Sequence, residues 1–278
     1  MTIKIVTDST ISIDPTLVKE LGITIVPLSY SISGTVYTDG DLTLSEYLNL
    51  IEKENKLPKT SQPPVGVFAD TFSQLAADGS QIISIHLTNT LSGTVESARQ
   101  GATLSGKDVT VVDSEFIDQA LAFQVITAAK MAQEGASKEM ILDEIQAIRE
   151  NTDLYCCLST LENLIKGGRI GRVAGLIGGL LDFRVVLRMQ DSQLKPFSKG
   201  RGNKTFKKFL EELSSNIASS GRKVREIGIA HADNLDFAKV VKENLQRFVE
   251  KPVTIRETST VIATHTGRLA FAVMISYK

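Results

Sequence analysis

The chain has 278 residues, 42% of them apolar, with 31 Lys plus Arg against 32 Asp plus Glu and a formal net charge of −1. That apolar content excludes a disordered chain, and the balanced charge gives no global pull toward nucleic acid or an anionic membrane surface. The length suits two α/β domains better than a single core, and no apolar run reaches the roughly 20 residues of a membrane span.

Ile3 to Thr7 is an apolar, β-branched run that reads as a strand and ends in Asp8-Ser9-Thr10. Because Met1 to Val6 lacks a basic region followed by a long apolar segment, it reads as part of that strand and not as a leader, and a cytoplasmic chain is expected. A helix follows from Pro15 to Leu21, with Gly22 as its stop, and Ile23 to Ile32 reads as a second strand. Thr43-Leu44-Ser45-Glu46 is a capping box that opens a helix toward Asn55. Val65 to Ala77 reads as a helix, Gln81 to Leu87 as a strand, Ser92 to Leu104 as a helix and Val109 to Val112 as a short buried strand. Helices over Ile117 to Glu134 and Lys138 to Glu150 complete a strand–helix alternation that predicts a mostly parallel sheet with helices on both faces.

The second half has a different pattern. Asp153 to Leu158 is a strand, and a second capping box, Ser159-Thr160-Leu161-Glu162, leads a short helix that ends at Lys166-Gly167-Gly168. Ile170 to Leu181 reads as a Gly-rich apolar helix, and Val185 to Met189 with Leu194 to Ser198 as a hairpin around Gln190-Asp191-Ser192. Helices at Thr205 to Ala218 and Leu235 to Val249 alternate with strands at Glu226 to Ala230 and Val253 to Glu257, and Ala270 to Tyr277 is a last strand. The expectation is an α/β chain of two domains, 1–155 around the parallel sheet and 156–278 around a mixed sheet. The adjacent Cys156 and Cys157 sit in an apolar run with no partner Cys at a useful spacing, so they read as reduced thiols.

Two polar runs carry the functional signal: Thr60-Ser61-Gln62-Pro63-Pro64 and Leu91-Ser92-Gly93-Thr94, each in a loop that leads into a helix. Hydroxyls beside the free N–H groups of a helix N-terminus form a site for an anionic oxygen group. Neither run has Cys, His or Glu at metal-ligand spacing, and Ser92 lacks the Gly-x-Ser-x-Gly elbow of a hydrolase. Asp8 and Asp113 read as loop caps, and His86 and His231, at the ends of apolar strands, as structural residues. His265, between hydroxyls in Thr264-His265-Thr266-Gly267, is open to a ligand contact or a structural turn. Lys166-Gly167-Gly168-Arg169-Ile170-Gly171-Arg172 is a basic, Gly-rich turn but not a Walker motif.

Taken in order, Ile5-Val6-Thr7-Asp8-Ser9-Thr10, Thr60-Ser61-Gln62-Pro63, His86-Leu87, Leu91-Ser92-Gly93-Thr94, Asp113-Ser114, Ile165-Lys166-Gly167-Gly168-Arg169-Ile170 and His265-Thr266-Gly267 make the whole chain resemble the DegV family, the bacterial fatty-acid-binding proteins that include the FakB subunits of fatty acid kinase. The resemblance implies two α/β domains with a long-chain fatty acid such as palmitate, stearate or oleate between them. It assigns the carboxylate contacts to Thr60 and Ser92 with His265 nearby, adds Ser61, Thr266 and Arg169 to that polar end, and gives Arg172 and Arg201 to docking of the kinase. On this reading the chain has no catalytic residue, metal or cofactor of its own. It holds the lipid while the catalytic subunit of fatty acid kinase forms an acyl phosphate for phospholipid synthesis, touches the membrane transiently for lipid exchange and binds no nucleic acid. The alternative is a hydrolase or transferase that uses Ser92. The chain departs from the family pattern at Arg268-Leu269-Ala270, where glycine is usual, at Thr88-Asn89-Thr90 before Ser92, and at Gln119, Ala120 and Ala122.

Overall fold

The structure, a computed structural model, describes residues 2–54, 56–170, 183–202 and 204–278. β1 (Ile3–Asp8) lies between β2 (Thr24–Val26) and β6 (Gln81–His86), and β7 (Val109–Asp113) completes a four-stranded, all-parallel sheet of order β2-β1-β6-β7. Successive side chains of a strand point to opposite faces, so Val6 and Ile82 meet Phe68, Phe72 and Ala98 of α3 (Val65–Leu75) and α4 (Thr94–Ser105). Their neighbours Ile5, Ile83 and Ile85 meet Leu121, Val125, Ile141 and Ile145 of α5 (Asp118–Gln133) and α6 (Lys138–Glu150) on the other face. α1 (Pro15–Glu20) starts where Asp14 accepts a hydrogen bond from the Thr16 amide.

The strand expected over Ile23 to Ile32 is two strands in two sheets. Pro27 has no amide hydrogen to continue the ladder, and after it β3 (Ser29–Ile32) pairs antiparallel with β4 (Thr35–Thr38) and β5 (Lys59–Ser61) in a small sheet of order β4-β3-β5. The first capping box forms: Thr43 Oγ1 accepts from the Glu46 amide at 3.2 Å, and Glu46 Oε2 accepts from the Thr43 amide at 2.9 Å, opening α2 (Leu44–Glu54). The second does not. Leu161 holds the N-cap of α7 (Glu162–Lys166) without a side-chain bond, and Ser159 Oγ turns instead to the Leu269 carbonyl at 3.4 Å.

The second sheet has six strands in the order β10-β9-β8-β13-β11-β12. These are β8 (Thr152–Leu158), β9 (Arg184–Gln190), β10 (Gln193–Gly200), β11 (Val224–His231), β12 (Thr254–Glu257) and β13 (Phe271–Tyr277); only β11 and β12 pair in parallel. The β9–β10 hairpin turns on Asp191 and Ser192, both left-handed at φ 51° and 58°, as a tight turn that follows the strand twist demands. α8 (Lys204–Ser219) and α9 (Leu235–Leu245) cover the outer face, where Tyr155, Cys157, Val273 and Ile275 pack. The alternate residues Leu154, Cys156, Leu158 and Met274 face inward. The two adjacent cysteines therefore lie on opposite faces of one sheet, both free and buried. The expected helices over Val65 to Ala77 and Leu235 to Val249 end at Leu75 and Leu245 and continue as single tighter turns. Apart from Ile170, the expected Gly-rich helix at 170–181 lies outside the described residues.

α5 lies between the two large sheets. Its residues Asp118 through Val125 are all buried, and it packs on β1 and β6 on one side and on β8, β11 and β13 on the other. A division at residue 155 falls inside β8; the chain passes to the second sheet at Asn151, between α6 and β8. At the start of α5, burial pushes the Asp118 carboxyl up to about 7, above the ordinary value of about 3.9. The folded state then holds a proton that the unfolded chain releases, so this contribution is full below about pH 4 and is lost as pH rises through about 7. Urea unfolding is expected to show a wild-type advantage over Asp118→Asn that is larger at about pH 5 than at about pH 8; an equal difference at both would refute the assignment.

Candidate functional site

Between the sheets lies a cavity of about 320 Å³. Its walls come from both large sheets and the segments beside them: Leu28 after β2, Leu87 after β6, Ile117 before α5, Cys156 and Leu158 on β8, and Leu194 on β10. Desolvation pushes the Cys156 thiol up to about 12, so at neutral pH it is a protonated apolar wall and not a nucleophile.

Polar groups gather at one end. Thr60 lies on β5, an edge strand of the small sheet and not a loop as its sequence suggested, and Ser61 and Gln62 follow on the exposed rim. His265, read as either a ligand contact or a structural turn, is on α10 (Thr260–Thr266), where Val261, Ile262, His265 and Thr266 share the face that lines the cavity. Thr60 Oγ1 and His265 Nε2 share a hydrogen bond of 2.9 Å. α10 is held in place from its other side: Thr260 donates to the buried carboxylate of Asp39, which also accepts from Ser9, and Thr264 bonds the Tyr47 hydroxyl.

Ser92 is buried just ahead of α4, and its hydroxyl pairs with that of Thr94 at 2.9 Å. The helix expected from Ser92 starts at Thr94; Gly93 holds the N-cap with no side-chain bond, which leaves the first-turn N–H groups to another acceptor. The two sequence motifs meet here. The Gln62 side chain lies directly over Gly93, so the Thr60-Ser61-Gln62 segment closes on the start of α4. Glycine is needed across the site, where a Cβ on Gly167 would fall 2.4 Å from His265 Nδ1 and 2.9 Å from the Asn163 carbonyl oxygen. Arg169, in the same turn, donates to the carbonyls of Gly167 at 2.8 Å and Leu91 at 3.4 Å and reaches the cavity wall. A helix N-terminus, a guanidinium, an imidazole, the Thr60 hydroxyl and the Ser92–Thr94 hydroxyl pair thus surround one end of an apolar slot, an arrangement suited to a carboxylate with a long hydrocarbon tail.

Thr60, Ser61, Ser92, His265, Thr266 and Arg169 all line this one cavity. Arg201 does not: it is exposed, with its guanidinium 5.2 Å from the Phe183 ring centre. Arg172 lies outside the described residues. Sequence reasoning missed Gln62 and Thr10 as lining residues, along with the apolar walls, which carry no local mark that separates a slot from a core.

Asp8 caps its own turn, as its sequence suggested, and is also the hub of a buried network. It accepts from the Thr10 amide at 3.0 Å, the Leu87 amide at 2.9 Å and His86 Nδ1 at 3.0 Å, while His86 Nε2 bonds Ser84 Oγ at 2.6 Å. The connectivity copies a Ser–His–Asp triad. All three side chains are 0% exposed, however, and Phe68 packs edge-on against the imidazole at 5.1 Å, so no substrate reaches Ser84. Asp113 also serves as a turn cap, accepting from the Glu115 amide at 2.8 Å and the Asn89 amide at 3.2 Å. His231 accepts from the Asn234 amide at 3.3 Å, as a structural residue does.

The sequence profile of the DegV family matches residues 2–278. The DegV domain-containing protein YejH of Lactococcus lactis is 58% identical over 278 residues, which is 100% of both chains. Among solved structures, a fatty-acid-binding DegV family protein from Thermus thermophilus superposes with a TM-score of 0.91 at 28% identity, covering 100% of each chain. A stearic acid-binding protein from Eubacterium ventriosum superposes with a TM-score of 0.87 at 26% identity, covering 99% of this chain and 98% of that one.

Proposed function

The chain belongs to the DegV family, and from that premise we propose that it binds a long-chain fatty acid and presents the carboxylate to a partner kinase. The observation that carries the binding step is the polar end of the slot: Thr60 hydrogen-bonded to His265, Ser92 ahead of an uncapped helix N-terminus, and Arg169 beside them, all on one apolar cavity. Structural relatives described as fatty-acid-binding and stearic acid-binding support the same ligand class. Burying a ~16-carbon chain yields roughly 12 kcal/mol gross at about 0.8 kcal/mol per methylene, of which association entropy removes a large part. The carboxylate opposes burial unless it is hydrogen-bonded, and the hydroxyls of Thr60 and Ser92 supply those bonds.

Presentation follows from where the head group sits. Ser61 and Gln62, exposed beside Thr60, support a polar end that faces outward. Phosphoryl transfer needs a nucleotide cradle and Mg²⁺ ligands, which we assign to the catalytic subunit of a fatty acid kinase, with an acyl phosphate as product. Arg172 and the exposed Arg201 are the proposed docking residues. We place the exchange in the cytoplasm, with transient membrane contact to load and release lipid.

Mass spectrometry of lipid extracted from the purified protein tests the first step: long-chain fatty acid at near-unit occupancy is expected. Loaded protein mixed with the kinase subunit and Mg-ATP is expected to yield acyl phosphate, and recovery of the free acid with no acyl phosphate would restrict the role to binding. Gly167→Ala is expected to push His265 off Thr60 and weaken palmitate binding by about tenfold, the worth of one charge-assisted hydrogen bond. Unchanged affinity in that variant would remove His265 from the site.

A further inference from the structure

Resting on the acyl-binding reading above, we propose that the slot has a second recognition point in a small side pocket, where the Asp118 carboxyl receives a hydroxyl carried by the acyl chain, so that hydroxylated long-chain acids are ligands alongside unsubstituted ones. A smaller pocket of about 20 Å³ adjoins the main cavity and shares Ile117, Cys156, Ile262 and Thr266 with it. Room of that size admits one water-sized group. β11, β13 and the residues beside them line it with four alanines, Ala230, Ala232, Ala270 and Ala272, together with His231 and Phe271.

Asp118 lines this pocket and is 1% exposed. Its Oδ2 accepts from Thr258 Oγ1 at 2.6 Å, whereas Oδ1 has no hydrogen-bond partner among the described residues. Two other donors lie near this carboxyl, the Gln119 amide and the Ser12 hydroxyl, and Ser12 gives its proton to the Glu257 carbonyl at 2.9 Å. The backbone is fixed as well, with Asp118 at φ 60° and its amide donating to Thr10 at 3.1 Å. A buried oxygen without a partner is costly and rare in native proteins. An alkyl chain passing Cys156 and Ile117 leaves that cost in place, and a hydroxyl on the chain removes it. Burial also keeps the carboxyl partly protonated near neutral pH, so it can donate to such a hydroxyl as well as accept from it.

The test measures dissociation constants for stearate and for a set of hydroxystearates that differ only in the position of the hydroxyl. Wild type is expected to favour one position over the others. Asp118→Val is expected to weaken that ligand by about tenfold while leaving stearate unchanged or tighter. Ala230→Val plugs the small pocket with Asp118 intact and is expected to abolish the same preference, which keeps the test decisive if Asp118→Val does not fold. Wild type without a preferred position overturns the proposal, as does a preference that survives in Ala230→Val; either result leaves stearate binding, and with it the acyl-binding reading, intact. Failure of wild type to bind stearate at all overturns both.

Discussion

Thr60→Val combined with Ser92→Ala is expected to weaken palmitate binding by about a hundredfold or more, with little change in the urea unfolding midpoint. Each hydrogen bond to a charged group is worth roughly 1.5–3 kcal/mol, so losing two corresponds to at least about two powers of ten in affinity. The stability cost is small because Thr60 is only partly buried. Ser92→Ala removes one neutral partner from the Thr94 hydroxyl, worth about 1 kcal/mol. The control is hexadecanol, which has the same tail and no carboxylate. The double variant should bind hexadecanol as wild type does; equal losses for acid and alcohol would mean that these hydroxyls shape the slot and do not hold the head group. The same variant addresses the reading in which Ser92 is a nucleophile. Ser92 Oγ pairs with Thr94, while the imidazoles of His86, His231 and His265 bond Asp8 and Ser84, Asn234, and Thr60 respectively. Wild type is accordingly expected not to react with a fluorophosphonate, and stoichiometric labelling lost in Ser92→Ala would establish the enzyme instead.

Asp8→Ala is expected to lower unfolding free energy by about 3–5 kcal/mol, the usual cost of removing one member of a buried charged network. The change strands the Thr10 and Leu87 amides and His86 Nδ1, all on buried residues. Ser84→Ala removes only the outer neutral hydroxyl and should cost about 1 kcal/mol. The contrast separates a structural network from a catalytic one, because a true triad loses activity at the serine while a brace loses stability at the carboxylate. Denaturant titration of both variants decides it; comparable small losses would show that Asp8 is no hub.

Much of the fold was legible because its signals are local. The capping box at Thr43, the stop after Glu150 and the hairpin on Asp191-Ser192 each depend on residues within a turn of one another. Where the prediction failed, a distant partner decided the outcome. The Ile23–Ile32 run has the composition of one strand, but Pro27 and two different sheets divide it. Ser159-Thr160-Leu161-Glu162 has the letters of a capping box, but the Ser159 hydroxyl is taken by Leu269, far along the chain. β5 is three residues long and pairs only with β3, so nothing in its own sequence marks it as a strand. The candidate site divides in the same way. The motifs marked Thr60, Ser92 and His265, yet the apolar walls are ordinary core residues until two sheets are set apart by a cavity.

By itself the sequence determined the order and type of most elements, the family and the hydroxyl-bearing motifs, since periodicity, caps and glycines act over a few residues. The tertiary structure alone decided that Thr60 meets His265 across 205 residues, that α5 serves both sheets, and that Asp8 and Asp118 are buried carboxyls with different partners. Those outcomes depend on which surfaces exclude water together, a property of the packed chain that no window of sequence contains.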